Sequence, residues 1–430
     1  MAHVTEAAGL LRTGNLFLRR VGLRRRGQDE VRALAGLKPG PSDERPGAFA
    51  VYLGDEPFFH FDLEGRWQRI YEAGTHYRKA LDASVDALDR RREGKSLVMR
   101  RRSLPFAEIA DLDAKARAMA LDLLADLGSG RDELLPPPDG SRALPLEELR
   151  ELLERVARWD AEAWFRHREA YVATYAPLPL LPPDAPLAVT FQATLGHARG
   201  RAFGHAPAFD YAERTPEEFA QHARQVLALL GRRIEQAKGA FLAGPDVLRL
   251  PYDWLAAHLE TIRGLDARGR LERVVAWLDD PTPPLYEPGD WSRLRALGLE
   301  RVAVAIESGD PEVRGLYGSL WTNEDLRGAV GLLQGAGIGV SLIVLADAGG
   351  TAFADRHGRE TASLVATLGL RPGDAVFVLD AAEAGDASVG GAVEPCGPAD
   401  TEVRRGALLA ALRAAKPAGV KVVPYSPEKQ

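Results

Sequence analysis

LAVTFQATLGHARGRAFGH, residues 187–205, is the stretch on which the fold turns. Leu187, Val189 and Phe191 alternate with Ala188, Thr190 and Gln192, a short β-branched and aromatic run of the buried-strand type. It passes into a loop punctuated by Gly196, Gly200 and Gly204, and then into a helix opened by Thr215, Pro216, Glu217 and Glu218. There the hydroxyl accepts from backbone N–H groups, proline needs no donor at the first helical position, and the carboxylates suit the positive end of the dipole. Strand, glycine-rich loop and helix make the first unit of a parallel α/β domain, where ligands gather at strand carboxyl ends.

Outward from this stretch the texture keeps alternating. Candidate strands cover 188–193, 239–244, 273–279, 301–308, 340–347, 375–380 and 420–425, and amphipathic segments cover 216–231, 252–264, 322–336, 353–369 and 401–415. Six or seven strands with crossover helices imply a parallel sheet, curled into a partial barrel or doubly wound. Periodicity alone does not choose between these. On the amino-terminal side, residues 1 to about 45 read as basic and irregular, with RRVGLRRR at 19–26 taken as a solvated arginine face and a Gly/Pro/Ser-rich stretch at 36–47. Segments 48–54 and 58–65 read as a hairpin. An apolar stripe at Ile109, Leu112, Ala116, Met119, Leu123 and Leu124 predicts a helix ending at Gly128, and 145–175 reads as one long helix or two. The proline-rich 176–186 marks a boundary. The expected organisation is a smaller, mainly helical α+β domain over 1–180 and an α/β domain over 181–430.

The chain's 430 residues suffice for two domains, each with its own core. A formal net charge of −6 argues against a general nucleic-acid binder, and nucleic-acid contact is not expected. MAHVTEAAGLL lacks the pattern of a signal peptide, no apolar run reaches membrane-spanning length, and the cytoplasm is the expected compartment. Cys396 is the only cysteine, so neither an internal disulfide nor a CxxC pair can form. One cysteine in a late Gly/Pro-rich loop is not an iron–sulfur site.

The 187–205 loop resembles the opening loop of a radical S-adenosylmethionine (SAM) barrel, with the pattern T-x-G-C-x-x-x-x-C-x-x-C. In that superfamily the three thiolates hold a [4Fe–4S] cluster whose open iron binds SAM. Laid on the pattern without gaps, the cysteine positions fall on His197, Ala202 and His205. FLAGPDVLRLP at 241–251 resembles the second-strand segment that binds the SAM amino group, here Gly244, Pro245 and Asp246. Segment 297–318 resembles the fourth-strand segment, with Glu307, Ser308 and Gly309 at its Glu-Ser-Gly, and 337–350 resembles the fifth, whose glycines approach the adenosine. The resemblance covers about 187–380. A weaker one links the EGRW…HYRK…LD region to an extension of uncharacterised members and implies no activity.

The resemblance implies a partial parallel (β/α)6 barrel of radical SAM type. With the three thiolates replaced, it further implies a protein without an iron–sulfur cluster, one that binds SAM or a related nucleoside weakly. Its cleft is expected from Asp246, Glu307, Ser308, Gly349 and Gly350. Arg199 and Arg201 either clamp a carboxylate or phosphate bidentately or neutralise Glu307 and Asp246. No metal is expected; the alternative is a metal on His197 and His205, with Asp210 and Glu213 near in sequence. Two functional expectations result. One is a pseudoenzyme that binds a protein partner or a small anionic or nucleoside ligand; the other is an enzyme using that alternative metal, and neither is a conventional radical SAM enzyme. Elsewhere, His60 and His357 read as structural, Trp277, Trp291 and Trp321 as core or interface, and the segment His76 to Lys79 with Asp62 and Glu64 as the lining of a groove.

Overall fold

The computed structural model describes residues 17–41, 45–93, 96–177, 181–196, 211–283, 285–381 and 396–425. The chain divides into two compact units, Met1–Thr174 with Leu227–Ala237, and Tyr175–Val226 with Lys238–Gln430.

In the first unit, strands β1 (Arg19–Arg25), β2 (Val31–Pro39), β3 (Pro46–Leu53), β4 (Phe58–Asp62), β5 (Trp67–Glu72), β6 (Thr75–Lys79), β7 (Val85–Glu93) and β8 (Ser96–Ser103) form an antiparallel meander. Strand β9 (Asp132–Leu135) adds to β1 at the far edge. Helices α1 (Phe106–Gly128), α2 (Leu146–Ala157) and α3 (Ala161–Thr174) pack on one face, around a core that includes Leu23, Phe49, Phe59, Phe61, Leu123 and Leu153. The unit is α+β as expected, but its strands hold more residues than its helices.

The supposed solvated arginine run is β1. Val21 and Leu23 enter the core, while Arg19 pairs with Glu148 at 2.6 Å, Arg20 with Asp139 at 2.6 Å and Arg25 with Asp126 at 2.5 Å. The Gly/Pro-rich stretch holds the end of β2 and the start of β3. Of the expected groove, two residues are core: Lys79 is buried 3.4 Å above the Trp164 ring and paired with Asp113, and Asp62 is buried against Arg66 at 2.7 Å, whereas Glu64, His76, Tyr77 and Arg78 are only half-buried. Segment 145–175 is two helices, parted at Trp159 and Asp160.

The second unit confirms all seven candidate strands. Parallel strands β10 (Val189–Gln192), β13 (Ala240–Ala243), β14 (Val274–Leu278), β15 (Leu299–Glu307), β16 (Gly339–Leu345), β17 (Ala375–Leu379) and β18 (Lys421–Pro424) lie side by side in chain order. A short antiparallel pair, β11 (Thr194–Leu195) with β12 (Ala212–Glu213), interrupts the first crossover. Helices α4 (Pro216–Leu230), α5 (Tyr252–Leu265), α6 (Pro288–Ala296), α7 (Pro311–Leu316), α8 (Asn323–Gly335), α9 (Gly350–Thr367) and α10 (Pro398–Ala415) supply the connections.

The strand order never reverses, so there is no switch point and the doubly wound alternative falls away. Right-handed crossovers then put the helices on one side. Phe241, Trp277, Ala303, Ile343, Leu345 and Phe377 form one apolar face, and the alternating Leu242, Ala276, Val302, Leu342 and Val376 are buried as well. Burial on both faces is why these strands read as continuous apolar runs. Among the described residues the outer strands β10 and β18 do not pair with each other, so the barrel is partial, with seven strands instead of the six expected.

Candidate site at the carboxyl ends of the parallel strands

Each parallel strand of a sequential α/β sheet ends at the same rim, and among the described residues Asp246, Asp279 and Glu307 stand there after or at the ends of β13, β14 and β15. After β13 the chain turns through Gly244, Pro245 and Asp246. Gly244 has φ +124°, and a Cβ there would overlap the hydroxyl and carbonyl oxygens of Thr194. Thr194 Oγ1 also donates to the Pro245 carbonyl at 2.6 Å. Asp246 follows with φ +53°, a left-handed conformation unusual for a residue with a side chain. Its amide donates to Asp279 Oδ2 at 2.8 Å, joining the ends of β13 and β14.

Asp279 is solvent-accessible yet surrounded by protein at longer range. That environment pushes its carboxyl up to about 7, and the charges of Asp246 and Asp280 add to the rise against the hydrogen bond from the Asp246 amide. Tyr211 belongs to the same neighbourhood. Its hydroxyl donates to Glu213 Oε1 at 2.9 Å, and desolvation, that hydrogen bond, and the charges of Glu213, Asp246 and Asp279 keep the phenol protonated. Asp280 is held differently, accepting from the Thr282 amide at 2.9 Å and lying 3.6 Å from Arg249.

Glu307 closes β15 with φ +46° after a register shift between Ala305 and Glu307. Ser319 Oγ donates to its carboxylate at 3.3 Å. Arg314, wholly buried and lying 4.2 Å from the Trp321 ring centroid, donates to the Ser308 carbonyl at 3.0 Å and adds a positive charge near Glu307. At the end of β16, Gly349 and Gly350 adopt φ +75° and +60° and open α9, with the Gly349 amide 3.4 Å from Tyr317 Oη.

Of the expected cleft residues, Asp246, Glu307, Gly349 and Gly350 therefore lie at the ends of β13, β15 and β16. Ser308 is completely buried; its hydroxyl accepts from the Asp310 amide at 3.0 Å and contacts His357 Nδ1 at 2.8 Å, so it secures the turn instead of lining the rim. Arg199, Arg201, His197, Ala202, His205 and Asp210 lie outside the described residues. Among the described residues no group of three or more His, Cys, Asp or Glu side chains is arranged to hold a metal. Sequence reasoning missed Asp279 and Tyr211. The first stood in view as the aspartate closing a predicted strand. His357 and the three tryptophans are buried as expected.

No family model matches the sequence, and no curated protein does. Solved structures resemble it in fold. One is TsrM from Kitasatospora setae, a radical SAM methyltransferase with cobalamin and a [4Fe–4S] cluster bound: 16% identity, 48% of this chain, 40% of that one, TM-score 0.34. Another is OxsB, a cobalamin-dependent SAM radical enzyme with aqua-cobalamin and SAM bound: 15% identity, 54% and 31%, TM-score 0.33. A third is spore photoproduct lyase with a dinucleoside spore photoproduct: 11% identity, 58% and 80%, TM-score 0.41. The chain thus spans less than half the length of TsrM and OxsB.

These structures correct the cofactor expectation. TsrM carries a cluster and OxsB carries SAM, so the expectation of a barrel without a cluster that binds SAM only weakly is not retained. The residues in hand nonetheless do not fit a three-thiolate cluster, since Cys396 is the one cysteine of the chain. No chemical step is derived through a cluster or cobalamin. No helix among the described residues is long and apolar enough to cross a membrane.

Proposed function

We propose that the parallel unit is a small-molecule-binding module whose ligand enters the rim by an ammonium group, with Asp246, Asp279 and Glu307 as its counter-charges. The observation that carries this is backbone conformation. In the second unit, the described residues other than glycine with positive φ are Asp246 and Glu307, both acidic and both at a strand end. Such conformations cost of order 1–3 kcal/mol each and cluster at ligand sites, where aiming a side chain offsets the strain. Adjacent strands lie about 4.8 Å apart, so carboxylates on β13, β14 and β15 span roughly 10 Å, the scale of a metabolite. Acidity favours a cation over the anionic ligand that Arg199 and Arg201 suggested.

The test is a calorimetric screen of amine-bearing metabolites, SAM among them, each paired with its N-acetyl derivative. Ligands that bind should lose about tenfold or more in affinity on acetylation, and likewise on Asp246→Asn or Glu307→Gln, the size of one charge-assisted hydrogen bond. Ligands that tolerate both changes, or a set with no binder, contradict the proposal.

A further inference from the structure

The antiparallel sheet of the first unit has two unlike faces. The helices cover the one bearing Phe49, Phe59 and Phe61. On the other, strand register builds a continuous row. Leu34 lies opposite Tyr52, Tyr52 opposite Phe58, Phe58 opposite Tyr71, Tyr71 opposite His76, His76 opposite Leu88, and Leu88 opposite Arg101. Four consecutive members are aromatic, with ring centroids 4.8, 5.7 and 4.6 Å apart. Tyr52 is buried at the foot of the row, whereas Phe58, Tyr71 and His76 are only half-buried.

A second row runs beside the first, with His60 opposite Arg69 and Arg69 opposite Arg78. Asp86, opposite Arg78, pairs with Arg101 at 2.6 Å. Lys38 lies 5.4 Å from the Tyr52 ring. Like charges directly opposite one another destabilise a sheet, so Arg69 against Arg78 is not explained by sheet stability. The crowding also reaches Lys38, whose ammonium is lowered to about 8 by burial and by Arg69.

Strands β7 and β8 run on past the sheet. Pairing of β6 with β7 stops at Thr75 and Asp89, but β7 and β8 continue to Glu93 and Ser96 as a two-stranded ribbon. Residues 89–102 read DRRREGKSLVMRRR, seven basic residues against two acidic ones. Arg100, Arg101 and Arg102 are exposed.

We propose that this sheet face, with Arg101 at its edge, binds single-stranded nucleic acid. Bases stack on Phe58, Tyr71 and His76, while Arg69, Arg78 and Arg101 meet the phosphates, a combination of aromatic platform and cationic track that suits unpaired strands. From Tyr52 to Arg101 the row crosses five strand steps, about 24 Å at ordinary strand spacing. The net charge of −6 pointed away from such a partner because a sum over the whole chain does not register a patch on one sheet.

Fluorescence anisotropy on the full chain tests this with a labelled pyrimidine-rich 12-mer, as RNA and as DNA, and with the corresponding duplex and polyglutamate. At least one single strand should bind more tightly than the duplex, and its affinity should fall about twentyfold between 50 and 200 mM salt if three phosphates are met. Tyr71→Leu should cost about tenfold, Tyr71→Phe should stay within twofold, and Arg69→Glu should cost at least tenfold, with all three variants melting near the parent. No binding to either strand at 50 mM salt, equal affinities for Tyr71→Leu and Tyr71→Phe, or polyglutamate binding as tightly as the 12-mer would each overturn it.

Discussion

The Asp279 carboxyl is pushed up to about 7, and that makes it a reporter of whatever enters the rim. An ammonium beside it favours the carboxylate and drives its proton off. Ligand binding at pH 7 should therefore release up to half a proton, and affinity should rise from pH 6 to pH 8. Calorimetry in two buffers of different ionisation enthalpy checks this, and Asp279→Asn should abolish the dependence. Lys79 makes a second residue-scale case. It is buried between Trp67 and Trp164 and answers Asp113, so Lys79→Met should cost about 3–5 kcal/mol by leaving the carboxylate without its counter-charge, with only the Trp67 indole N–H still donating to it. Lys79→Met with Asp113→Leu should recover most of that loss in chemical denaturation. Side-chain direction was the part least legible in the sequence. Glu307 and Ser308 read alike as site residues and both are buried, but the contact with His357 ties the Ser308 hydroxyl to the turn.

At the scale of elements, the parallel strands were readable because both faces are apolar and each run is bounded by glycine or proline. Strand β1 was not, because its arginines find their carboxylates 101 to 129 residues away, beyond any local window. The turn after β15 shows how short elements are pinned. Asp310 caps α7, accepting from the Glu312 amide at 2.9 Å, and also pairs with Arg356. Asp310→Ala should destabilise by about 1–2 kcal/mol, and Asp310→Asn, which can still cap, by clearly less, as read from urea midpoints. Gly309 sits against Thr361, leaving no room for a Cβ.

Across the whole molecule, strand order decided between the two architectures that periodicity left open. No local pattern encodes it, since it is set by which crossovers fit. The buried histidines act at this scale too. His167, His258 and His357 are each held down to about 4, chiefly by burial, against an ordinary value of 6.5. Between those values the unfolded chain binds protons that the folded chain refuses. Stability is therefore complete above about pH 6.5 and falls toward pH 4, by roughly 1.4 kcal/mol per pH unit for each histidine. Thermal melts at pH 7.5 and pH 5 should show a marked drop, and an unchanged midpoint would mean that these rings are not neutral when folded.

Hydrogen–deuterium exchange with the tightest amine ligand measures where the barrel is used. Binding at the acidic rim requires protection at the amides following β13, β14 and β15, around Asp246, Asp279 and Glu307, and its disappearance in Asp246→Asn. Protection at the opposite, amino-terminal ends of the strands, or none in the parallel unit, would contradict the assignment.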